Sequence, residues 1–138
     1  MEAYDVMSVD IVAAKEDAKA IEISTRIALE GYNGMPIINE TGAVIGIVIV
    51  TTLDILKAIK DNKDLDKLSA KDIMTRHSST LGQDASADEI IDIMYRKGID
   101  MIPIIANEED DSRLIGVVSR QDILKEKLNE RFVSIGRD

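Results

Sequence analysis

Apolar and polar positions change period in the same order twice along the chain. In the C-terminal half, Ser79 to Leu81 reads as a short extended segment before Gly82. Ser86-Ala87-Asp88-Glu89 then opens a helix with a capping-box pattern, the serine oxygen serving one orphan backbone N–H and the glutamate another. Ile90, Ile91 and Met94 fall on one face of that helix, and Gly98 stands where a left-handed residue would end it. Met101 to Ala106 reads as a buried strand interrupted by Pro103, whose missing N–H suits an edge, a strand start or a ligand-lined segment. The acidic turn Glu108 to Asp111 leads to a third strand, Leu114 to Val118. Ser119-Arg120-Gln121-Asp122 opens the last helix, with Ile123, Leu124 and Leu128 facing inward. The N-terminal half predicts the same plan: a helix over about 18–30, strands near 35–38 and 43–50, and a helix from about 52 to 61. Ser69-Ala70-Lys71-Asp72 caps a short helix that enters the second half.

Superposing the chain on itself explains the recurrence. A shift of 67 lays Val6-Met7-Ser8 on Ile73-Met74-Thr75, Gly31 on Gly98 and Pro36-Ile37-Ile38 on Pro103-Ile104-Ile105, with ten identities over the 34 positions 6–39. One further residue of shift aligns Asp54-Ile55-Leu56-Lys57 with Asp122-Ile123-Leu124-Lys125. The slip falls in polar stretches that read as turns, where a change of length is tolerated. The boundaries expected are 4–61 for the first repeat, 62–69 for a charged linker and 70–131 for the second repeat. Each repeat reads as βαββα, an α/β (α+β) unit, and the pair is expected to pack about a pseudo-two-fold axis.

Composition narrows the function. With 17 Lys plus Arg against 26 Asp plus Glu in 138 residues the net charge is −9, which argues against general nucleic-acid binding. An apolar fraction of 45% supplies a real core and excludes disorder. Cysteine is absent and His77 is the one histidine, so disulfides, thiolate chemistry and multi-histidine metal sites are not expected. Glu108 to Asp111 lacks EF-hand spacing, and Gly42 to Gly46 is followed by no Lys-Ser or Lys-Thr, so it is no phosphate-cradling loop. The longest apolar run, Ala43 to Val50, is too short to span a bilayer. The N-terminus lacks a signal-peptide pattern, so a cytoplasmic location without membrane insertion is expected. No nucleophile is paired with a general base, and an enzyme is not expected.

Four elements recur in both halves in one order. They are the entry (Val6-Met7-Ser8 and Ile73-Met74-Thr75), the helix-ending glycine (Gly31 and Gly98), the apolar-proline dipeptide (Met35-Pro36 and Ile102-Pro103), and a strand-to-helix tetrad (Thr51-Thr52-Leu53-Asp54 and Ser119-Arg120-Gln121-Asp122). This order resembles a tandem pair of CBS domains, the Bateman module, over about residues 4 to 130. The resemblance implies a regulatory module without a required cofactor that senses AMP, ADP, ATP or S-adenosylmethionine, pairs into a homodimer and modulates another protein. By the same resemblance, Asp54 and Asp122 bind ribose hydroxyls, while Thr51 and Ser119 contact ribose or phosphate. It places the adenine slot at Ser78, Thr80, Ile102 and Pro103 in the second copy and at Ile11, Ala13, Met35 and Pro36 in the first.

The residues themselves leave two readings of the tetrads. A hydroxyl beside free N–H groups at a helix start suits an anion, and the acid three residues on suits a ribose diol. The same spacing is also an ordinary capping box. The copies are unequally equipped. Arg120 offers a fork-shaped donor for phosphate, with Arg76 and His77 as helpers, whereas the first copy has Thr52 there and Ala13 in place of Thr80. Gly116 replaces Val48 and would permit closer backbone approach. A phosphorylated ligand is therefore expected at the Asp122 site, with the first site weak, vacant or suited to an uncharged adenosine. The competing function is a ligand-free dimerisation or interaction module with degenerate sites.

Overall fold

The computed structural model describes residues 1–39, 44–76, 80–106 and 113–129, with the backbone alone for 44–48 and 76. In chain order the elements are α1 (Ala3–Val6), β1 (Ala14–Lys15), α2 (Ala20–Glu30), β2 (Gly34–Ile38), β3 (Val44–Thr51), α3 (Thr52–Lys60), α4 (Ala70–Ile73), β4 (Thr75–Arg76), β5 (Leu81–Gly82), α5 (Ala87–Lys97), β6 (Met101–Ile105), β7 (Leu114–Ser119) and α6 (Arg120–Lys127). The strands form two sheets, ordered β1-β2-β3-β4 and β5-β6-β7. In each, the short first strand runs parallel to the second and the next pair is antiparallel. The antiparallel registers slip at matching places, Ile37/Ile38 and Ile104/Ile105. The mixed α/β class is as the sequence implies. The acidic turn at 108–111 and Ser79 lie outside the described residues.

The helices begin and end where their side chains dictate. Thr51 Oγ1 accepts from the Asp54 N–H at 3.2 Å and Asp54 Oδ2 accepts from the Thr51 N–H at 2.8 Å, closing a reciprocal cap on α3. Ser119 and Asp122 repeat it on α6 at the same two distances. At α5 only the serine half forms among the described residues: Ser86 Oγ accepts from the Glu89 N–H at 3.1 Å, while Glu89 stays exposed beside the Met1–Ala3 segment that pairs across Ser86. Gly31 (φ 76°) and Gly98 (φ 62°) end α2 and α5 in the left-handed region, which costs a glycine no Cβ clash.

Each sheet buries one face under helices. Ile23, Ile27, Met35, Ile37 and Val50 form one core; Ile90, Met94, Ile102, Ile104 and Val118 form the other. The expected apolar faces need correction at three residues. Ile91 is 38% exposed and Leu124 47% exposed, because they look into an open groove between α5 and α6. Leu128 is only half-buried.

The entry segments cross between the bodies. Residues 1–8 leave the first repeat and dock on the second: the Ala3 N–H donates to Ala85 O, the Tyr4 N–H to Gln83 O, and Ser8 pairs antiparallel with Val117. Residues 69–76 do the converse. The Ala70 N–H donates to Ala18 O, the Lys71 N–H to Glu16 O, and β4 pairs with β3 through Thr75 and Ile49. Ala3 is wholly buried in the second core and Ala70 in the first, so both cores are completed by the other repeat's entry. Ser69 and Asp72 cap α4, and the Ser69 N–H holds the Asp72 carboxyl below its usual range. A carboxyl with a depressed folded-state pKa stabilises the fold fully at neutral pH and loses that contribution as pH falls through the carboxylate range. Asp72→Asn is accordingly expected to lower stability at pH 7 more than at pH 3 in urea denaturation.

The crossing also explains Gly116, whose position was expected to admit a close approach. The space above it is taken by this chain's own Met7: a Cβ there would lie 2.4 Å from Met7 Sδ and 2.8 Å from Met7 Cγ. Gly116→Ala is expected to cost about 1–3 kcal/mol in urea denaturation. The loss should couple to Met7→Ala in a double-mutant cycle. Additive effects of the two substitutions would contradict this packing.

Candidate functional site

The crossing places two clefts where the bodies meet, and each draws on both repeats. Cleft A, about 210 Å³, runs from Ser8, Asp10, Ile11 and Val12 past Tyr32, Asn33 and Pro36 to Met101, Val117 and Ser119. Cleft B, about 270 Å³, joins Ile49, Thr51, Asp54 and Thr75 to Lys97, Ile99, Asp100 and Met101, with Asn33 at its edge. The clefts are related by the repeat: Ser8, Tyr32, Val117 and Ser119 of one match Thr75, Ile99, Ile49 and Thr51 of the other. Asn33 and Met101 wall both. Volumes below the ~300–1,000 Å³ usual for enclosed small-molecule pockets leave part of any nucleoside-sized guest open to solvent or a partner.

This geometry rearranges the expected groupings. The slot residues Ile11 and Pro36 of the first copy do not face the first tetrad; they share cleft A with Ser119 of the second. The tetrad residues Thr51 and Asp54 open instead onto the second copy's residues 97–101. Asp122 stands one helical turn behind Ser119, half-buried and outside the wall itself. Met35 and Ile102 are core residues, 1% and 0% exposed, because they lie on the helix-facing side of their strands. Pro103 is fully buried, and Ala13 and Thr80 are half-buried; none of the three lines either cleft. Ser78, His77 and the Arg76 side chain lie outside the described residues.

Arg120 is the clearest departure. Its Nε contacts Asp100 Oδ1 at 2.9 Å and donates to Ile99 O at 3.1 Å, and its backbone N–H donates to Asp100 O. The guanidinium is committed to Asp100, half in solvent, and borders the α5/α6 groove rather than cleft A. The charge that would have drawn a phosphate to the second tetrad is thus already paired.

The two carboxylates also differ. Asp54 Oδ2 caps α3 while its Oδ1 accepts from the Thr75 hydroxyl, so both oxygens are engaged. Asp122 Oδ2 caps α6 and no partner for its Oδ1 is found among the described residues. Ser8, the repeat counterpart of Thr75, is exposed and makes no such bond. Sequence reasoning missed Asp10, Val12, Tyr32 and Asn33 in cleft A and Thr75, Lys97, Ile99 and Asp100 in cleft B, among others. Tyr32 and Asn33 follow the helix-ending glycine, and that glycine was the available signal for a loop turned toward the cleft. Among the described residues no group of acids or histidine could hold a metal ion, and no helix is long and apolar enough to cross a membrane.

Comparison with known proteins agrees with this architecture. The CBS domain family matches residues 3–61 and 70–129. An uncharacterized protein of Methanopyrus kandleri is 32% identical over 116 residues, covering 84% of this chain and 57% of that protein. The inosine-5′-monophosphate dehydrogenase of Methanocaldococcus jannaschii is 27% identical over 125 residues, 91% of this chain but 23% of the enzyme. The chain therefore spans little more than half of the first relative and about a quarter of the second. Among solved structures, the CBS domain pair of protein MJ0100, in complex with 5′-methylthioadenosine and S-adenosyl-L-methionine, superposes with a TM-score of 0.80. It is 26% identical, and the match covers 94% of this chain and 98% of that one.

The unequal carboxylates make a stability prediction. Thr75→Val keeps a β-branched side chain in β4 but removes the hydroxyl on Asp54, and should cost about 1 kcal/mol in urea denaturation. Ser8→Ala should change stability by less than about 0.5 kcal/mol. Equal losses would contradict the difference between the clefts.

Proposed function

We propose that this chain, which belongs to the CBS domain family as a tandem pair, is a regulatory module that takes an adenosine-bearing ligand between its bodies and passes the binding on to a partner protein. The observation that carries this reading is the crosswise construction of the clefts. In cleft A the helix-capping hydroxyl of Ser119, with the Asp122 carboxylate behind it, comes from one repeat and an apolar wall with Ile11, Val12 and Pro36 comes from the other. In cleft B Thr51 and Asp54 of one repeat face Ile99 and Met101 of the other. The hydroxyl and carboxylate suit ribose, and the apolar wall suits a flat base. The MJ0100 pair, which holds two adenosine compounds, supports the ligand class. AMP, ADP and ATP are the phosphorylated candidates; S-adenosylmethionine and 5′-methylthioadenosine are the others.

A guest wedged between the bodies contacts both, so it favours the arrangement of the bodies that closes on it. Regulation requires differential affinity for two arrangements, since equal affinity shifts nothing. A region 27% identical to this chain lies within an inosine-5′-monophosphate dehydrogenase, which supports an enzyme as the kind of partner regulated.

A second reading has its own support. Leu53, Leu56 and Ile59 form an apolar stripe on α3 exposed by 57–72%, and Tyr95 and Leu124 border the open α5/α6 groove. Such faces suit association of two copies or docking on a partner with no ligand at all.

Thermal denaturation with AMP, ADP, ATP, S-adenosylmethionine and 5′-methylthioadenosine separates the two readings. A ligand at 100 times its dissociation constant should add about 2.7 kcal/mol. Asp122→Ala should lose most of that gain, because its second oxygen is the one without a partner among the described residues, and Asp54→Ala should lose less. No stabilisation by any of the five, together with concentration-dependent association on size exclusion, would replace the ligand sensor with the interaction module. A larger loss in Asp54→Ala would reverse the ranking of the sites.

A further inference from the structure

Cleft A has one charged side chain among its described lining residues, Asp10, and one aromatic, Tyr32. The loop that carries Tyr32 is aimed by Gly31, whose left-handed conformation turns the chain off α2 and across the cleft. The ring is half-buried and packs against the first core, so its position is set by apolar contact. Its hydroxyl is held by Glu30, which Arg26 holds in turn at 3.5 Å. The phenol is pushed above its usual pKa by that hydrogen bond and stays neutral at physiological pH. The repeat counterpart in cleft B is Ile99, an aliphatic side chain 8% exposed in the second core. An aromatic wall is therefore a property of one cleft and not of the repeat.

Resting on the adenosine reading above, we infer that cleft A selects an adenosine without a 5′ phosphate, a neutral thioether or a sulfonium cation, with Tyr32 as the stacking wall for the base and Asp10 as the residue that sets the charge preference. Purines stack on aromatic rings irrespective of their substituents, which gives affinity without choosing among adenosine compounds. The choice comes from charge. A phosphate in this cleft would meet the Asp10 carboxylate, with Arg120 already bound to Asp100 on the far side of the second tetrad. A protein of net charge −9 adds to the repulsion. A sulfonium finds the same carboxylate attractive, and a neutral thioether is indifferent to it.

The chain has no tryptophan, and Tyr4 and Tyr95 are 63% and 87% exposed away from the cleft, so all three tyrosines emit but a change in emission on binding at the cleft reports on Tyr32. The full-length chain is titrated with 5′-methylthioadenosine and with AMP by calorimetry and by tyrosine emission, as wild type, Tyr32→Phe, Tyr32→Leu and Asp10→Asn, each first shown to melt as the wild type does. The expected results are tighter binding of 5′-methylthioadenosine than of AMP and an emission change on binding. Tyr32→Phe should bind within about twofold of wild type but lose most of that emission change. Tyr32→Leu should bind about tenfold more weakly, the size of one base–aromatic stack. Asp10→Asn should strengthen AMP several-fold and leave 5′-methylthioadenosine unchanged. Undiminished binding in Tyr32→Leu, or a wild type that prefers AMP with a full emission change, would overturn this inference while leaving the adenosine site standing. Binding of neither compound to the wild type would overturn both.

Discussion

The structure depends on one exchange: each body is closed by a segment that belongs to the other repeat. Ser8 pairs with Val117 and Thr75 with Ile49, while Ala3 and Ala70 fill the opposite cores. Neither half can bury its apolar sheet face completely from its own residues, so the two are expected to fold as a unit rather than as separable domains. The same exchange brings residues 8–12 past the second tetrad on their way to β1, and Thr75 past the first. The clefts are by-products of this path, which is why each has walls from both repeats.

At the cleft edges, capping and binding use the same atoms. Thr51 with Asp54 and Ser119 with Asp122 complete reciprocal caps, so the hydroxyls and one carboxylate oxygen of each pair stabilise their helices before any guest arrives. What remains for a ligand is the second oxygen, and there the duplicated halves have diverged. Thr75 occupies it on Asp54, whereas no described residue occupies it on Asp122. Divergence continues across the axis. Tyr32 stands opposite Ile99 in the repeat, and Gly34 opposite Met101, whose sulfur lies 3.1 Å from where a Gly34 Cβ would be. Two sites of common descent thus present different chemistry while sharing Asn33 and Met101 as a wall.

Much of the fold was legible because it is written in periodicity and caps. The glycine ends at 31 and 98, the caps at Thr51, Ser69, Ser86 and Ser119, and the proline-bearing strands at 34–38 and 101–105 all stand where the pattern puts them. What failed was spatial. Reading each repeat as a closed unit paired Ile11 and Pro36 with Asp54, because an exchange of entry segments leaves no mark on local spacing. The inward assignment of Ile91 and Leu124 failed because an apolar residue at the border of a helical stripe reads the same whether its groove is filled or open. Arg120 looked like a phosphate donor because its partner, Asp100, lies twenty residues away in sequence but adjacent across the α6 start. Among the slot residues, strand alternation distinguished Met35 from Pro36 only once the buried face was known.

The account is tested most directly by amide NMR of the isotopically labelled chain titrated with 5′-methylthioadenosine. It predicts that Ser8, Ile11 and Tyr32 shift together with Val117 and Ser119 along a single saturation curve, showing one guest held by both repeats. Shifts confined to residues of one repeat, or centred on Ile91, Tyr95 and Leu124 of the outer groove, would contradict it.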